Sequence, residues 1–245
     1  MIDKTLVKNS FKKGLKTYNE NAFIQSKMAE VLISFAPEKN YQNVLEIGMG
    51  TGILTSLAAR FVKYKNYFAN DLIAECKNYL EKIIPQAYFM EGDIESISIE
   101  DKFDLIISNA SFQWVNDFIA LVDKTDNLLN DDGLFIFSTF TDGNFLELKK
   151  ATGKGLEYYA ALDLEKILSD KFEIISSRQE EQVLYFKDFK TLLKHIKYTG
   201  VNAVNSEILS LSELKAAEKY YLENFSSEKG IKLTYKPFYA VLKKK

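Results

Sequence analysis

The residues best able to do chemistry lie together in Val44-Leu45-Glu46-Ile47-Gly48-Met49-Gly50-Thr51-Gly52. An apolar lead-in carries one acid, three glycines follow at every second position, and an apolar amphipathic run comes next. This order reads as a buried strand, a tight turn and a helix start. Glycine reaches positive φ and has no Cβ to hold a ligand away from the backbone. A helix start adds unpaired N–H groups that suit an anionic or polar ligand. A dinucleotide turn spaces its glycines G-x-G-x-x-G, whereas here the third, Gly52, comes one residue early. Glu46, two residues before Gly48, puts a negative charge where a pyrophosphate has no use for one. A ligand with a cationic ammonium and sulfonium does have a use for it. Asp71 follows Gly52 by 19 residues, at the end of the next predicted strand. An acid there accepts bonds from ribose hydroxyls in nucleotide-binding α/β folds. Asp93, after the third predicted strand, is placed to accept the exocyclic amine of an adenine.

The elements that must position these groups are legible from periodicity and breakers. Residues 22–36 have helical spacing that Pro37 stops, and a helix is predicted to begin near Ser10. Strands are predicted at 43–48, 66–71, 87–91, 103–108 and 134–140, with helices at 51–61, 72–84 and 115–129 between them and a turn at 131–133. Strands alternating with helices at this period give a doubly wound parallel sheet. Beyond residue 141 the alternation changes. Short helices are expected between 143 and 170, strands at 172–177 and 182–186, helices at 188–199 and 212–224, and a last strand at 231–242. The chain thus reads as a single domain over 1–245. It has an N-terminal helical segment (1–37), a core (43–140) that carries the glycine turn, and a helical lid (188–224) before the last strand.

Composition bounds the function. The 245 residues are 47% hydrophobic and 27% charged with 3 prolines, which fits one well-packed α/β domain and not a disordered chain. One cysteine (Cys76) and one histidine (His195) exclude a disulfide framework and a Cys/His metal site. No apolar run is long enough to span a membrane and no signal peptide is read at the N-terminus, so a cytoplasmic location is expected. The net charge of −2 implies no general attraction to nucleic acid or membrane.

Three acids at successive strand ends, with the glycine turn, resemble the class I S-adenosylmethionine-dependent methyltransferases. A glycine turn can also merely pack a helix on a strand. The resemblance implies a doubly wound, mostly parallel, seven-stranded Rossmann-like sheet with an antiparallel last strand. It implies S-adenosyl-L-methionine as cofactor and S-adenosyl-L-homocysteine as product. The cofactor set becomes Glu46, Gly48, Gly50, Gly52, Asp71, Leu72, Asp93, Ile94, Asn109 and Phe112.

The acceptor is read from the turn after the fourth strand, Ser108-Asn109-Ala110-Ser111-Phe112-Gln113-Trp114. Methyltransferases of planar nitrogens usually carry an Asn/Asp-Pro-Pro-aromatic turn here, and this chain lacks both prolines. Alcohol, phenol and carbon acceptors usually need a base, and the one histidine lies in the expected lid. A carboxylate, with a pKa near 4, is already ionised and needs only alignment and exclusion of water.

A closer resemblance is to the malonyl–acyl carrier protein O-methyltransferases, which open pimeloyl-chain assembly in biotin synthesis. It is carried by Tyr18-Asn19-Glu20-Asn21-Ala22, Glu46 to Gly52, Ser111-Phe112-Gln113-Trp114, Phe137 to Phe140, His195-Ile196-Lys197-Tyr198-Thr199-Gly200-Val201-Asn202-Ala203, and Leu233-Thr234-Tyr235. Tyr18-Asn19 departs from the usual Tyr-Asp, and Asn130-Asp131-Asp132-Gly133 replaces a Pro-Gly-Gly turn. This resemblance implies methyl transfer to the free carboxylate of a malonyl thioester. Lys197, in the matching lid stretch, is the expected cation for that carboxylate, with Arg178 behind it. Tyr18 is expected either near the methionine end of the cofactor or against the acceptor. Ser111, Gln113, Trp114 and His195 are the expected acceptor set, although Trp114 reads equally as core and His195 as packing. The implied partner is acyl carrier protein, a small acidic domain, or else malonyl-coenzyme A; no nucleic acid, membrane or metal is expected. Two basic faces could meet the carrier: Lys4, Lys8, Lys12, Lys13 and Lys16, or Lys187, Lys190, Lys194 and Lys197 on one helix face. The alternatives are methylation of another small acid or metabolite, and a silent cofactor-binding regulator.

Overall fold

The computed structural model describes residues 1–199 and 210–245. The chain opens with α1 (Lys4–Gly14), the single turn α2 (Tyr18–Asn21) and α3 (Phe23–Ile33). Helix α1 starts earlier than the predicted Ser10 because the Asp3 carboxylate accepts the N–H groups of Thr5 and Leu6 at 2.8 and 3.1 Å. Such a cap satisfies donors that the first turn leaves orphaned. Then follow β1 (Asn40–Ile47), α4 (Ile53–Phe61), β2 (Lys63–Asp71), α5 (Lys77–Ile83), β3 (Tyr88–Glu91), β4 (Phe103–Asn109), α6 (Phe118–Leu128) and β5 (Leu129–Phe140). The second half adds α7 (Leu146–Thr152), α8 (Ala161–Ser169), β6 (Phe172–Gln179), β7 (Gln182–Phe186), α9 (Phe189–Tyr198), α10 (Leu211–Phe225), β8 (Ser226–Ser227), β9 (Gly230–Tyr235) and β10 (Pro237–Lys244). Among the described residues, no helix is long and apolar enough to cross a membrane.

Seven strands form one sheet in the order β3-β2-β1-β4-β5-β10-β6, with β10 antiparallel to both neighbours. The doubly wound sheet is the one the strand–helix alternation predicts, and the antiparallel last strand is the one the family resemblance implies. Glu46 stands opposite Ala69 on one side and Ile107 on the other. The ends of β1, β2 and β4 therefore lie side by side, and Glu46, Asp71 and Asn109 share one edge. The chain order reverses between β1 and β4, where ligands of open α/β sheets sit.

Successive residues of the central strands turn to opposite faces. Val44 and Leu105 pack with Met28, Leu54 and Leu80, while Leu45 and Ile106 pack with Phe118, Leu121 and Leu164. Helices cover both faces, which is why these strands read as unbroken apolar runs.

Two predicted elements differ. The last strand, expected at 231–242, is two strands. The Lys236 N–H donates to Asn144 Oδ1 at 3.1 Å and its carbonyl accepts the Thr141 N–H at 3.0 Å, so both its backbone groups leave the ladder. β9 then joins β7 and β8 in a separate three-stranded sheet, and β10 enters the main one. The turn expected at 131–133 lies inside β5, where the β4–β5 register shifts and Asp132 takes φ +59°.

Gly52 precedes α4 at φ +83°, and a Cβ there would run into the Ile83 side chain of α5. Gly52→Ala therefore lowers stability by about 1–3 kcal/mol, read as a lower urea midpoint at unchanged slope.

Candidate active site

A cavity of about 130 Å³ opens beside the glycine turn and the ends of β1, β2 and β4. Glu46, Gly48, Gly50, Asp71, Leu72, Asp93, Ile94, Asn109 and Ser111 line it. Gly50 stands at φ +55°, and a Cβ built on it meets nothing within 4 Å, so it would occupy the cavity itself. A Cβ on Gly48, at φ +70°, would run into the Ser111 side chain. The two glycines thus have different reasons: Gly50 keeps the cavity open, and Gly48 lets the turn after β4 approach the turn after β1.

Glu46 is 1% exposed, and its Oε2 accepts the hydroxyls of Thr55 and Tyr67, both at 2.6 Å. Burial pushes its pKa up to about 7, and the two hydroxyl bonds oppose the shift. Asp71 is also buried. Its Oδ2 accepts the Gly50 N–H at 2.7 Å and its Oδ1 the Ile73 N–H at 2.9 Å. Burial raises its pKa against those bonds. Asp93 accepts the N–H of Glu95 at 3.1 Å and pairs with Lys4 at 3.3 Å. Asn109 donates to the Gln25 carbonyl at 3.0 Å and accepts the Ser138 hydroxyl at 2.7 Å, which locks β4 to α3 and β5.

A second, narrower cavity adjoins the first. Phe11, Tyr18, Gln25, Ala110 and Trp114 border both. Its remaining wall comes from Gln113, Phe140, Asn144, Phe145, Leu156, Tyr158, Thr199 and Tyr235. Gln113 donates to the Ala110 carbonyl at 2.6 Å and accepts the Thr139 hydroxyl at 3.4 Å. Burial, with Asp71 nearby, holds the Tyr18 phenol well above its ordinary pKa. Among the described residues, Gln25 Oε1 and Trp114 Nε1 are buried without a hydrogen-bond partner.

Several expected residues stand elsewhere. Gly52 is outside the first cavity and serves the packing of α4 on α5. Phe112 is in the core, against Phe118, Phe135 and Phe137, because its turn folds the ring under the sheet. Lys197 is exposed on α9 and lines neither cavity; helical phase turns it away while Ile196 faces the core. Arg178 pairs with Glu180 at 2.7 Å and lies over the Phe35 and Tyr239 rings, away from both cavities. His195 lines neither cavity either. Its Nε2 lies 2.6 Å from the Tyr235 hydroxyl, and burial lowers its pKa to about 4. Of the matched lid stretch, Gly200-Val201-Asn202-Ala203 fall outside the described residues. Three of the five N-terminal lysines are engaged in ion pairs, while Lys13 and Lys16 are exposed. Lys4 pairs with Asp93 and Glu95, Lys8 with Glu91, and Lys12 with Glu75, so α1 is drawn over the mouth of the first cavity. Phe11, Gln25, Asn144 and Tyr158 were not anticipated. They come from four separate segments and share no motif.

A family model described as "Methyltransferase domain" matches residues 18–184. The chain is 40% identical to a malonyl-[acyl-carrier protein] O-methyltransferase of Calditerrivibrio nitroreducens, over 97% of this chain and 96% of the relative. It is 35% identical to the one of Chlorobium phaeovibrioides, over 99% and 97%. Among solved structures it resembles N-methyltransferase NodS from Bradyrhizobium japonicum in complex with S-adenosyl-L-homocysteine, with a TM-score of 0.60, 14% identity, and coverage of 97% of this chain and 98% of that one. The YcgJ protein of Bacillus subtilis is similar at a TM-score of 0.65, 14% identity, 89% and 98% coverage. The sheet order and the glycine turn, with these matches, define an S-adenosylmethionine-dependent class I methyltransferase. The open cradle at Gly50 and the buried carboxylate of Glu46 fit that cofactor. Within the class, the chain belongs to the malonyl-[acyl-carrier protein] O-methyltransferase family.

A cationic ligand favours ionised Glu46, and protonation removes the attraction, so the sign is tighter cofactor binding at higher pH. Titration calorimetry is expected to give a Kd about tenfold higher at pH 6 than at pH 8. Glu46→Gln binds weakly and loses that dependence. Gly50→Val abolishes binding in the same titration, because its side chain fills the cradle.

Proposed function

We propose that the protein transfers a methyl group to the free carboxylate of malonyl–acyl carrier protein. The observation that carries this reading is the composition of the second cavity. Among the described residues, its lining has no Asp, Glu, Lys, Arg or His. His195 is tied to Tyr235 behind the wall, and the buried phenols of Tyr18, Tyr158 and Tyr235 are held protonated. A cavity without a base suits an acceptor that needs none.

In this reading Glu46 faces the ammonium end of the cofactor, Gly48 and Gly50 admit it to the backbone, and Asp71 meets the ribose hydroxyls. Asp93 reads the adenine amine, with Leu72 and Ile94 flanking the ring. Bound there, S-adenosylmethionine supplies a sulfonium methyl: a carboxylate lone pair forms the O–C bond, the C–S electrons stay on sulfur, and no proton moves. Tyr18, Gln25 and Trp114 wall the junction of the cavities and exclude water, while Ser111 and Gln113 hold the turn that shapes it. The resulting methyl ester hides a charge from chain-elongating enzymes, as the start of pimeloyl and biotin synthesis requires. The buried, unpaired Cys76 suits a reducing compartment, and the reading places the reaction in the cytoplasm.

Helix α9 supports a carrier-protein partner. Lys190, Lys194 and Lys197 are exposed on it, Lys187 precedes its Asp188 cap and so stands off the expected helix face, and Thr199 at its end lines the second cavity. An acidic carrier meeting that face delivers its acyl arm beside the acceptor wall. Helix α9, which reaches the acceptor wall through Thr199, is then part of the lid expected over 188–224.

The test is label transfer from methyl-labelled cofactor to malonyl–acyl carrier protein, malonyl-coenzyme A and a panel of free acids. Label in malonyl thioesters is expected; label confined to free acids or alcohols would sink the reading. The Lys190→Glu/Lys194→Glu double variant is expected to raise KM for the carrier-bound substrate several-fold in low salt, with little change for malonyl-coenzyme A. An equal change for both substrates removes α9 as the dock.

A further inference from the structure

The acceptor wall has one cluster that the reaction has not yet used. Trp114 is buried, borders both cavities, and its indole Nε1–H has no partner among the described residues. Native structures seldom leave such a donor unpaired without a ligand or water to take it. Across the second cavity, Asn144 Nδ2 donates to the Tyr158 hydroxyl oxygen at 2.9 Å, which leaves the Tyr158 proton for another acceptor. Tyr235 completes the group. It lines the same cavity as Tyr18 and Tyr158, its hydroxyl lies beside His195 Nε2 and the Thr199 hydroxyl, and burial holds its phenol far above its ordinary pKa.

We propose that the acceptor carboxylate is held by uncharged donors, the hydroxyls of Tyr158 and Tyr235 and the indole N–H of Trp114, with His195 as the positioning residue for Tyr235. The assignment rests on the carboxylate reading above and names the groups that reading leaves open. In the transfer, a carboxylate and a sulfonium become a neutral ester and a neutral thioether. Charge is therefore smaller in the transition state than in the ground state. A lysine paired to the carboxylate would stabilise the ground state more and slow the step, since only interactions stronger in the transition state accelerate it. Neutral O–H and N–H donors orient the oxygen with a weaker hold. They also separate substrate from product, because the ester loses the charge-assisted bonds. Lys197, exposed and outside both cavities, is consistent with this arrangement.

His195 has a defined part. It is neutral at working pH, and its Nε2 faces the Tyr235 oxygen at 2.6 Å. With the proton on Nε2 it donates to that oxygen and leaves the phenolic proton for the acceptor; the other tautomer would take that proton up.

The chain has one tryptophan and one histidine, so each gives a single signal in a nitrogen-15-labelled sample. The full chain is saturated with S-adenosyl-L-homocysteine and titrated with malonyl-coenzyme A or with its methyl ester. The acid is expected to move the indole N–H resonance downfield and the ester to leave it in place, and the imidazole shifts are expected to report Nε2–H. In turnover, Tyr158→Phe and Tyr235→Phe each raise KM for malonyl-coenzyme A about tenfold with S-adenosyl-L-homocysteine affinity unchanged. His195→Gln, which keeps a donor near the Nε2 position, retains KM, and His195→Leu does not. An indole signal unmoved by the acid, or phenylalanine variants with wild-type KM, overturns the assignment while the carboxylate reading stands. Wild-type protein that labels no malonyl thioester overturns both.

Discussion

The rest of the structure depends on a carboxylate kept almost out of water. Burying an ionised carboxylate costs several kcal/mol unless a partner compensates. Glu46 has two hydroxyl partners, from Thr55 and Tyr67, and these leave its pKa still raised. A positive charge brought beside it would favour the ionised form. The elements around it build and keep open that place. β1 carries the acid to the sheet edge, α4 and β2 supply the hydroxyls, and the left-handed glycines keep the space in front of it clear.

The same edge explains why the chemistry can be divided between two cavities. Asp71 holds the glycine turn through Gly50, and Asn109 ties the turn after β4 to α3 and β5. That turn reverses at Ala110, at φ +49°, and presents Gln113 and Trp114 to the second cavity. One side of the reversal is polar and acidic, suited to a cationic cofactor. The other is aromatic and uncharged, suited to a group that must shed its water before it reacts. α1 crosses both, held by lysine pairs at one end and by Phe11 against Trp114 and Tyr18 at the other.

Much of the fold is legible in the sequence, and so are the acids and glycines that line the first cavity. The alternation of strands and helices gave the sheet, and the early Gly52 with Glu46 separated this turn from a dinucleotide turn. Glu46, Asp71, Asp93 and Gly50 could be named because each occupies a fixed place relative to a strand end. Lys197 and Phe112 stand outside the two cavities for one shared reason. Spacing tells which residues lie near a site but not which way each points, and helical phase turns Lys197 outward while the tight turn at 112–114 turns Phe112 into the core.

The doubly wound sheet, the edge at which the acids gather and the kind of ligand that edge takes can all be read along the chain. Those follow from short-range rules: apolar period, glycine at positive φ, and an acid at a strand end. Apart from Gln113 and Trp114, the lining of the second cavity is set by long-range packing. Phe11, Gln25, Asn144, Tyr158 and Tyr235 are scattered along the chain, and what unites them is packing between α1, the turn after β4 and the β9–β10 break. That break exists because Lys236 gives both its backbone groups to the 141–144 turn, a long-range pairing that no local pattern records.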